Sequence, residues 1–431
     1  MRLRVLAACL VIPLLARCAP TAVPPGLRPE IHQAERVDRS DPQVSSIDLM
    51  RRQGELYAHR PFVPGNRVAL LIDGPATFAA MRRAIESARE RIDMESYEFD
   101  DIAGSQFADL LLAARARGVA VYLIYDSWGA LTTKAAIFDR LRAAGAGVLA
   151  YNPVEPNSRV PVDLNRRDHR KLLCIDGHLC ITGGVNISKV YENAPGPRGE
   201  GPDEQAWRDT DVEIDGPVSA QFEEFFAETW WEQNGPPLPP APPPGGPVGD
   251  TLVQAIDGDP KDGEPLIYRT LLASIALSRH SVHLTTGFFV PTPAMLDALE
   301  AAARRGVDVQ LIVPGESDSS MALWAGRAAY GGLLDAGVGI HERQGRILHA
   351  KTTVIDGGWS AVGSANLDWR SVIWNNEIDA VVLGREFGSQ MEALFAADLA
   401  HSHTINRQAW HDRGPLQRFE ELKATLLARF L

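Results

Sequence analysis

Along most of the chain, short apolar runs alternate with longer segments in which apolar residues recur at every third or fourth position. Val68-Ala69-Leu70-Leu71-Ile72 reads as a buried strand, and Asp73-Gly74 as the turn that follows it. Phe78, Met81, Ile85 and Ala88 then share one face of a helix predicted over 78–91. Alternation predicts a strand over 92–99. Next come a helix over 107–117 stopped by Gly118, a strand over 119–125, a helix over 137–144 ended by Gly145, and a strand over 148–151. The second half repeats the order: helix 265–278, strand 281–285, helix 295–304 stopped at Gly306, strand 307–313, helix 320–334 ended before Gly337, strand 338–342. Short phrases recur with it. Ala116-Arg117-Gly118-Val119 matches Arg304-Arg305-Gly306-Val307, and Leu141 to Gly145 matches Leu333 to Gly337. Strand–helix alternation implies a mainly parallel sheet covered by helices, here in two βα lobes of one α/β chain.

Breaks in the pattern set the boundaries. Residues 1–20 form a targeting-like segment, and 21–66 a tether and extension with a helix-compatible stretch at 46–58 and a loop at Pro61 and Pro64. The first repeat covers 67–234. A linker at 235–249 follows, in which seven of the ten residues from Pro236 to Gly245 are proline, a composition that behaves as a stiff spacer. The second repeat covers 250–400. In the tail at 401–431, Leu416, Phe419, Leu422, Leu426 and Phe430 make a stripe that docks on the body rather than lying in a membrane. A Pro/Gly-rich loop between Lys189 and Asp203 reads either as a lid beside the site or as a surface insertion.

One stretch occurs twice. His169-Arg170-Lys171 is followed by four residues and Asp176-Gly177, and His349-Ala350-Lys351 by four residues and Asp356-Gly357. Each continues to Gly183-Gly184-Val185-Asn186 or Gly363-Ser364-Ala365-Asn366, so His, Lys and Asn recur 180 residues apart. The β-rich residues before each Asp-Gly predict a strand that turns and returns as a hairpin, with Asp176 and Asp356 holding the turn. Side chains two apart on a strand share a face, so each copy offers one imidazole, one ammonium and one amide. Two copies brought together suit a phosphodiester. Lys171 and Lys351 offset its charge, while Asn186, Asn366 and Ser364 donate to its oxygens. One imidazole can attack phosphorus while the other protonates the departing alkoxide. Asp209 and Glu377, which follow the first and second copies, are candidates to orient the imidazoles. Glu95 and Glu98 read as polar residues at a strand end.

The paired motifs resemble the HxKxxxxD signatures of the phospholipase D superfamily, and their surroundings those of bacterial cardiolipin synthases. The likeness is carried by Asn165 to Lys171, Thr182 to Ile187, Phe288 to Pro291, Arg305 to Val309, Pro314 to Asp318 and Gly363 to Ser371. Two departures stand out: Gly287-Phe288-Phe289 replaces a usual Pro-Tyr-Phe, and the two membrane-spanning helices many members begin with are absent from this sequence. The resemblance implies two lobes packed face to face with the site between them, and His169, Lys171, Asp176, His349, Lys351 and Asp356 as catalytic residues. It implies a phosphohistidine on His169, no metal or other cofactor, and phosphatidylglycerol-like phospholipid substrates yielding cardiolipin. It also makes Glu95 a candidate behind the pocket, and Phe288, Phe289, Met321, Trp324, Ile373 and Trp374 candidates for an acyl groove. The alternatives are a hydrolytic phospholipase D, a phosphodiesterase or nuclease, and a non-catalytic membrane tether.

Charge and cysteines adjust this reading. The chain of 431 residues carries a net charge of −12, against the basic surface of a protein that tracks nucleic acid. One chain holds both motifs, so a monomer acting at a membrane surface is expected. Arg2 and Arg4 precede an apolar run from Val5 to Leu15, a secretory pattern too short to span a bilayer. Leu15-Ala16-Arg17-Cys18 resembles a lipoprotein box with an atypical Arg17, so the expectation is an exported protein on the periplasmic side, possible lipidation at Cys18, with the cytoplasmic face as the alternative. Cys174 and Cys180 flank the Asp176-Gly177 turn and are expected to be small buried thiols rather than a bridge. No Cys-x-x-Cys pair or His-rich tract points to a metal.

Overall fold

The computed structural model describes residues 44–153, 165–192, 206–259 and 265–414, with Gln417, Glu421, Lys423 and Ala424. The targeting segment with Cys18, the 194–202 loop and all five residues of the C-terminal stripe lie outside the described residues. The helix α1 (Ser46–Ala58) precedes the first lobe and packs into the core of the second. In the first lobe the elements are β1 (Val63–Ile72), α2 (Asp73–Ser87), β2 (Arg91–Ser96), α3 (Asp101–Ala116), β3 (Ala120–Asp126), α4 (Ala135–Ala143) and β4 (Gly147–Tyr151). They continue as β5 (Arg167–Asp168), β6 (Lys171–Ile175), β7 (Leu179–Gly183), β8 (Thr210–Asp215) and α5 (Ser219–Glu232). The second lobe holds β9 (Thr251–Gly258), α6 (Leu266–Leu277), β10 (Ser281–Thr286), β11 (Phe289–Val290), α7 (Pro293–Arg304), β12 (Asp308–Pro314), α8 (Ser320–Ala328), α9 (Tyr330–Ala336) and β13 (Gly339–Arg343). It closes with β14 (Lys351–Ile355), β15 (Trp359–Gly363), β16 (Leu367–Asp368), α10 (Trp369–Ile373), β17 (Asn375–Leu383), α11 (Arg385–Leu399), β18 (Ser402–Thr404) and α12 (Arg407–His411).

Both lobes share one sheet, in the order β18-β13-β12-β10-β14-β15-β17-β9-β1-β8-β7-β6-β2-β3-β4. Read outward from the central β9–β1 pair, the two halves run through equivalent strands. The sheet is mixed rather than mainly parallel. Along this order the parallel pairings are those of β2-β3-β4 and β10-β12-β13, whereas the strands between them pair antiparallel along it, with the two-residue β5 added parallel to β17 off the path. The two motif hairpins force this, because a tight turn can only join antiparallel strands.

The seam between the lobes is sealed by Asn66. Its amide donates to the carbonyls of Val63 and Thr251 at 2.7 and 3.2 Å, and its Oδ1 accepts from the Val218 amide at 3.0 Å. Pro64 falls inside β1 and not in a loop. It sits where the β1–β9 register shifts between Val63 and Asn66, a bulge that needs no ladder N–H. Three other expectations change. Asp73-Gly74 opens α2 instead of turning, α2 stops at Ser87, and the helix predicted over 320–334 breaks in two at Ala329.

Each catalytic strand is buried on both faces. Leu173 and Ile175 of β6 enter the core of the first lobe, while Leu172 and Cys174 enter a core shared by both lobes under α5. The β14 strand repeats this, with Ile355 in the core of the second lobe and Val354 in the shared core. Cys174 and Cys180 are directly opposed across the hairpin and form a disulfide, correcting the expectation of free thiols. Their cross-strand register brings the Cα atoms to 4.2 Å, a closeness that spacing along the chain could not reveal. The proline-rich linker lies against the first lobe. Pro236 and Pro239 carbonyls accept from Trp230 and Arg91, and the Gly245 amide donates to Gly177, the turn of the first motif.

Candidate active site

Both motif turns take the same form. Asp176 and Gly177 have φ of 51° and 73°, Asp356 and Gly357 of 50° and 60°, so both central residues are left-handed, as a two-residue hairpin with right-handed twist requires. The Asp176 carboxylate accepts from the backbone amides of Arg89, Glu90 and Arg91 at 2.7–2.8 Å. Asp356 accepts from Arg279, His280 and Ser281, and also from the Ser46 hydroxyl of α1. Each aspartate thus ties its hairpin to the start of β2 or β10. The five-residue strand β6 or β14, roughly 16 Å long at 3.3 Å per residue, separates it from the imidazole. Both carboxylates are engaged in holding the hairpin, the place the turn reading gave them.

At the other end of the strands the lobes exchange partners. Residues Arg167 and Asp168 pair with Asn375 and Asn376 of β17, and the His169 amide donates to the Asn376 carbonyl at 2.9 Å. In the mirror arrangement Arg208 bridges Leu348, and the His349 amide donates to the Arg208 carbonyl at 2.8 Å. Asn376 precedes Glu377 and Arg208 precedes Asp209. The same backbone exchange therefore delivers Glu377 to His169, with Nδ1 at 2.9 Å from Oε2, and Asp209 to His349, with Nδ1 at 2.8 Å from Oδ2. With both Nδ1 atoms engaged, each ring has Nε2 free for chemistry. The ring centroids are 6.4 Å apart.

The two half-sites are not identical. Glu377 is held by Ser364 (2.6 Å), Ser371 (2.7 Å) and Asn375 (3.3 Å), which keeps its charge in place. Ser364 was expected to contact phosphate; its hydroxyl is instead committed to Glu377 and the Ile378 amide. The counterpart of Ser364 is Gly184, where Asp209 occupies the space a Cβ would need. Beside His349, the hydroxyl of buried Tyr191 lies 3.1 Å from Nδ1, and Trp207 and Phe288 flank the ring at centroid distances of 5.3 and 6.4 Å. Tyr97 flanks His169 at 5.2 Å. Tyr191 and Ser371 occupy the same offset in the two copies but differ in chemistry, so repeat matching alone missed both. Asn186 accepts from the Glu98 amide at 3.2 Å and reaches the Tyr191 hydroxyl, while Asn366 Oδ1 is buried without a partner.

Burial dominates the electrostatics. It pushes both imidazoles down to about 4, with Lys171 and Lys351 adding to the push and the carboxylates opposing it. Burial also brings Lys171 down to about 7 and Lys351 to about 8, each relieved in part by Glu377 and Asp209. Each Lys Nζ donates to the carbonyl of its own histidine. Burial would raise Glu377, but His169, Lys171 and Ser364 outweigh it and hold the carboxyl at about 2. Asp209 is likewise lowered against its burial by His349 and Lys351. The pocket therefore holds neutral imidazoles and two ammoniums that lose protons readily. A bound phosphodiester anion raises all four groups.

Behind His169 lies a buried cluster. Arg170 donates to the Glu377 carbonyl at 3.2 Å and to Thr229, and pairs with Asp257 from β9. Glu95, the candidate that the resemblance implied, is fully buried 3.9 Å from Arg170, and burial raises both it and Asp168. It backs the site and touches neither imidazole. Among the described residues no group of three His, Cys, Asp or Glu side chains is placed to hold a metal ion.

Neither lobe is complete alone, since each imidazole borrows its carboxylate from the other. A duplicated α/β scaffold that assembles two histidine–lysine signatures in this way is that of the phospholipase D-type phosphatidyltransferases, and the chain is an enzyme of that class. The family described as cardiolipin synthase, PLD-like domain, matches it at residues 81–230 and 271–399, and the chain belongs to that family. It is 32% identical over 405 residues to the cardiolipin synthase A of Pseudomonas putida strain F1, covering 94% of this chain and 82% of that protein. To the cardiolipin synthase A of Pseudomonas aeruginosa strain LESB58 it is 33% identical over 365 residues, covering 84% and 72%. Among solved structures, the phosphatidylserine synthase of Haemophilus influenzae shares the fold, with a TM-score of 0.64 at 13% identity, covering 89% of this chain and 100% of that one.

Proposed function

We propose that this enzyme transfers a phosphatidyl group between alcohols through a covalent histidine adduct without a metal, making cardiolipin from two molecules of phosphatidylglycerol. The observation that carries this reading is the pair of opposed imidazoles, each fixed through Nδ1 by a carboxylate of the other lobe, with Lys171 and Lys351 alongside. In the first step His169 Nε2 attacks phosphorus and the bond from phosphorus to the glycerol head group breaks. His349, protonated once the anion is bound, gives its proton to the departing oxygen. In the second step His349 takes the proton from a hydroxyl of another phosphatidylglycerol, that oxygen attacks phosphorus, and the phosphorus–nitrogen bond breaks. The ammoniums, with Asn186 and Asn366, offset and hold the charge on the non-bridging oxygens. Substrates come from a membrane surface, one chain is sufficient, and nucleic acid is not a partner. The chain is proposed to be exported and to work on the periplasmic side, anchored through Cys18 if that residue is lipidated. No helix among the described residues is long and apolar enough to cross a membrane.

Purified protein incubated with phosphatidylglycerol vesicles should yield cardiolipin and glycerol by mass spectrometry. Phosphatidic acid in place of cardiolipin means water is the acceptor, and no lipid product at all overturns the reading. With a p-nitrophenyl phosphodiester, whose leaving group needs no proton, His349→Ala should accumulate a phosphorylated His169, whereas His169→Ala should form no adduct.

A further inference from the structure

The two half-sites are built on matched repeats, yet they differ at Nδ1, the atom that decides how an imidazole handles its proton. Nδ1 of His169 is held by both oxygens of Glu377, at 3.1 and 2.9 Å. Nδ1 of His349 is shared by two residues, with Asp209 Oδ2 at 2.8 Å and the Tyr191 hydroxyl at 3.1 Å. At the 180-residue offset the counterpart of Tyr191 is Ser371. The Ser371 hydroxyl donates to Glu377 at 2.7 Å instead of meeting the ring. The matching hydroxyls thus serve the carboxylate behind His169 in one half-site and the imidazole itself in the other.

Charge fixes the direction of these bonds. Against its burial, Asp209 is held low by His349 and Lys351, so it is ionised and can only accept. A bare Nδ1 lone pair facing it would be repelled, so Nδ1 carries the hydrogen. Burial pushes the Tyr191 phenol well above its usual value, so it keeps its proton. Its oxygen, facing an N–H, is therefore a second acceptor beside Asp209. Asn186 orients that oxygen. The Glu98 amide donates to Asn186 Oδ1 at 3.2 Å, which leaves the amide nitrogen to donate to the Tyr191 oxygen. Packing fixes the ring. Tyr191 is fully buried and edge-on to Trp207 at 5.7 Å, and its backbone lies so close to Gly74 in α2 that a Cβ there has no room.

We infer that Tyr191 is a positioning residue that makes His349 the proton carrier of the pair, because its oxygen braces Nδ1–H beside Asp209 while the ring holds a second hydrogen at Nε2. A hydrogen bond to the charged form of a group favours that form. His169, whose Nε2 lone pair must stay bare to attack phosphorus, is given a serine at the matching position. The inference rests on the proposed two-histidine transfer and names the residue that divides its labour. In the first step the His169 lone pair forms the phosphorus–nitrogen bond and the bond from phosphorus to the leaving oxygen breaks. That oxygen takes the Nε2 proton of His349, Nε2 keeps the electron pair, and Nδ1–H stays between Asp209 and Tyr191 throughout.

Tyr191→Phe removes the hydroxyl and keeps the ring. The full chain is compared on two phosphodiesters of the same alcohol, one releasing p-nitrophenol and the other phenol. The pre-steady-state burst of either product measures formation of the histidine adduct. Departure of p-nitrophenolate needs no proton, and departure of phenol draws on one. Tyr191→Phe should slow the phenyl burst about 10- to 100-fold, the scale of one hydrogen bond to a charged group, and the p-nitrophenyl burst by no more than about threefold. Half-saturating concentrations should stay within about twofold of the parent, since the loss falls on the chemical step. A variant that only loosens the pocket slows both esters alike. Equal slowing of both esters, or parental rates with both, overturns the inference. Ser371→Ala is the mirror comparison: acting through Glu377 on the attacking imidazole, it should slow both esters by the same factor, and selective slowing of the phenyl ester would overturn the division between the half-sites. A parent that forms no adduct with either ester overturns the two-histidine reading and the inference with it, whereas an adduct-forming parent with no ester selectivity in Tyr191→Phe overturns the Tyr191 assignment alone.

Discussion

Glu377 lies on the second lobe, yet its carboxylate holds Nδ1 of His169 on the first lobe at 2.9 Å. Asp209 returns the exchange to His349 at 2.8 Å. The site is thus an interlobe assembly, and its orienting carboxylates are as exposed to test as its imidazoles.

Glu377→Gln keeps the shape of the side chain and the hydrogen bonds from Ser364 and Ser371, but removes the charge and offers the wrong partner to Nδ1–H. In a serine hydrolase, the analogous change at the residue orienting the histidine costs about 10⁴ in kcat. Glu377→Gln and Asp209→Asn are each expected to lower kcat by about 10²- to 10⁴-fold, with unfolding transitions close to the parent. Steady-state kinetics beside circular dichroism tests this, and wild-type kcat in either variant would show that the crossed pairs are incidental.

Anion binding should fall as pH rises. Lys171 and Lys351, at about 7 and about 8, lose their charge through that interval. The Kd for inorganic phosphate, measured by calorimetry from about pH 6 to about pH 9, should weaken across this range. Lys351→Met should weaken binding at the lower pH and flatten the upper part of the profile. A Kd independent of pH would mean that the ammoniums do not hold the anion.

The same lysines are expected to cost stability. Lys171 is brought from 10.5 to about 7 by folding. Well above pH 10.5 it is neutral in both states and carries no penalty. As pH falls toward 7 the unfolded chain takes up a proton that the native state refuses, and stability is lost, fully by about pH 7. Lys171→Met should therefore melt no lower than the parent at neutral pH while being inactive, with its advantage shrinking as pH approaches 10.5. The imidazoles, normally 6.5 and held at about 4, add a further loss of stability as pH falls from 6.5 to 4.

The Cys174–Cys180 disulfide closes a loop of sequence separation 6 within the first catalytic hairpin. Loop-closure entropy for so short a ring is about 2 kcal/mol. The Cys174→Ala/Cys180→Ala variant should be less stable to denaturant by about that amount, and the native protein should show neither thiol to alkylation until reduced. Alkylation of both cysteines in unreduced, denatured protein would show that the bond does not form.

Much of this protein could be read from its order of residues. Strand and helix succession, the duplication, the hairpins and the His–Lys–Asn repeats are local features, set by side-chain periodicity and by Asp-Gly turns whose left-handed backbone few other pairs adopt. The amino-acid sequence also offered Asp209 and Glu377 as candidates, because each follows its motif. Contacts between residues distant in the chain were decided only by the tertiary structure. Which carboxylate serves which histidine depends on β5 pairing with β17 and on Arg208 meeting Leu348. Whether Cys174 meets Cys180 depends on hairpin register. That Ser364 and Ser371 support Glu377, while Tyr191 stands by His349, follows from repeats that keep their backbone but differ in side-chain volume. Periodicity fixes which face a residue occupies; only packing fixes what it meets there.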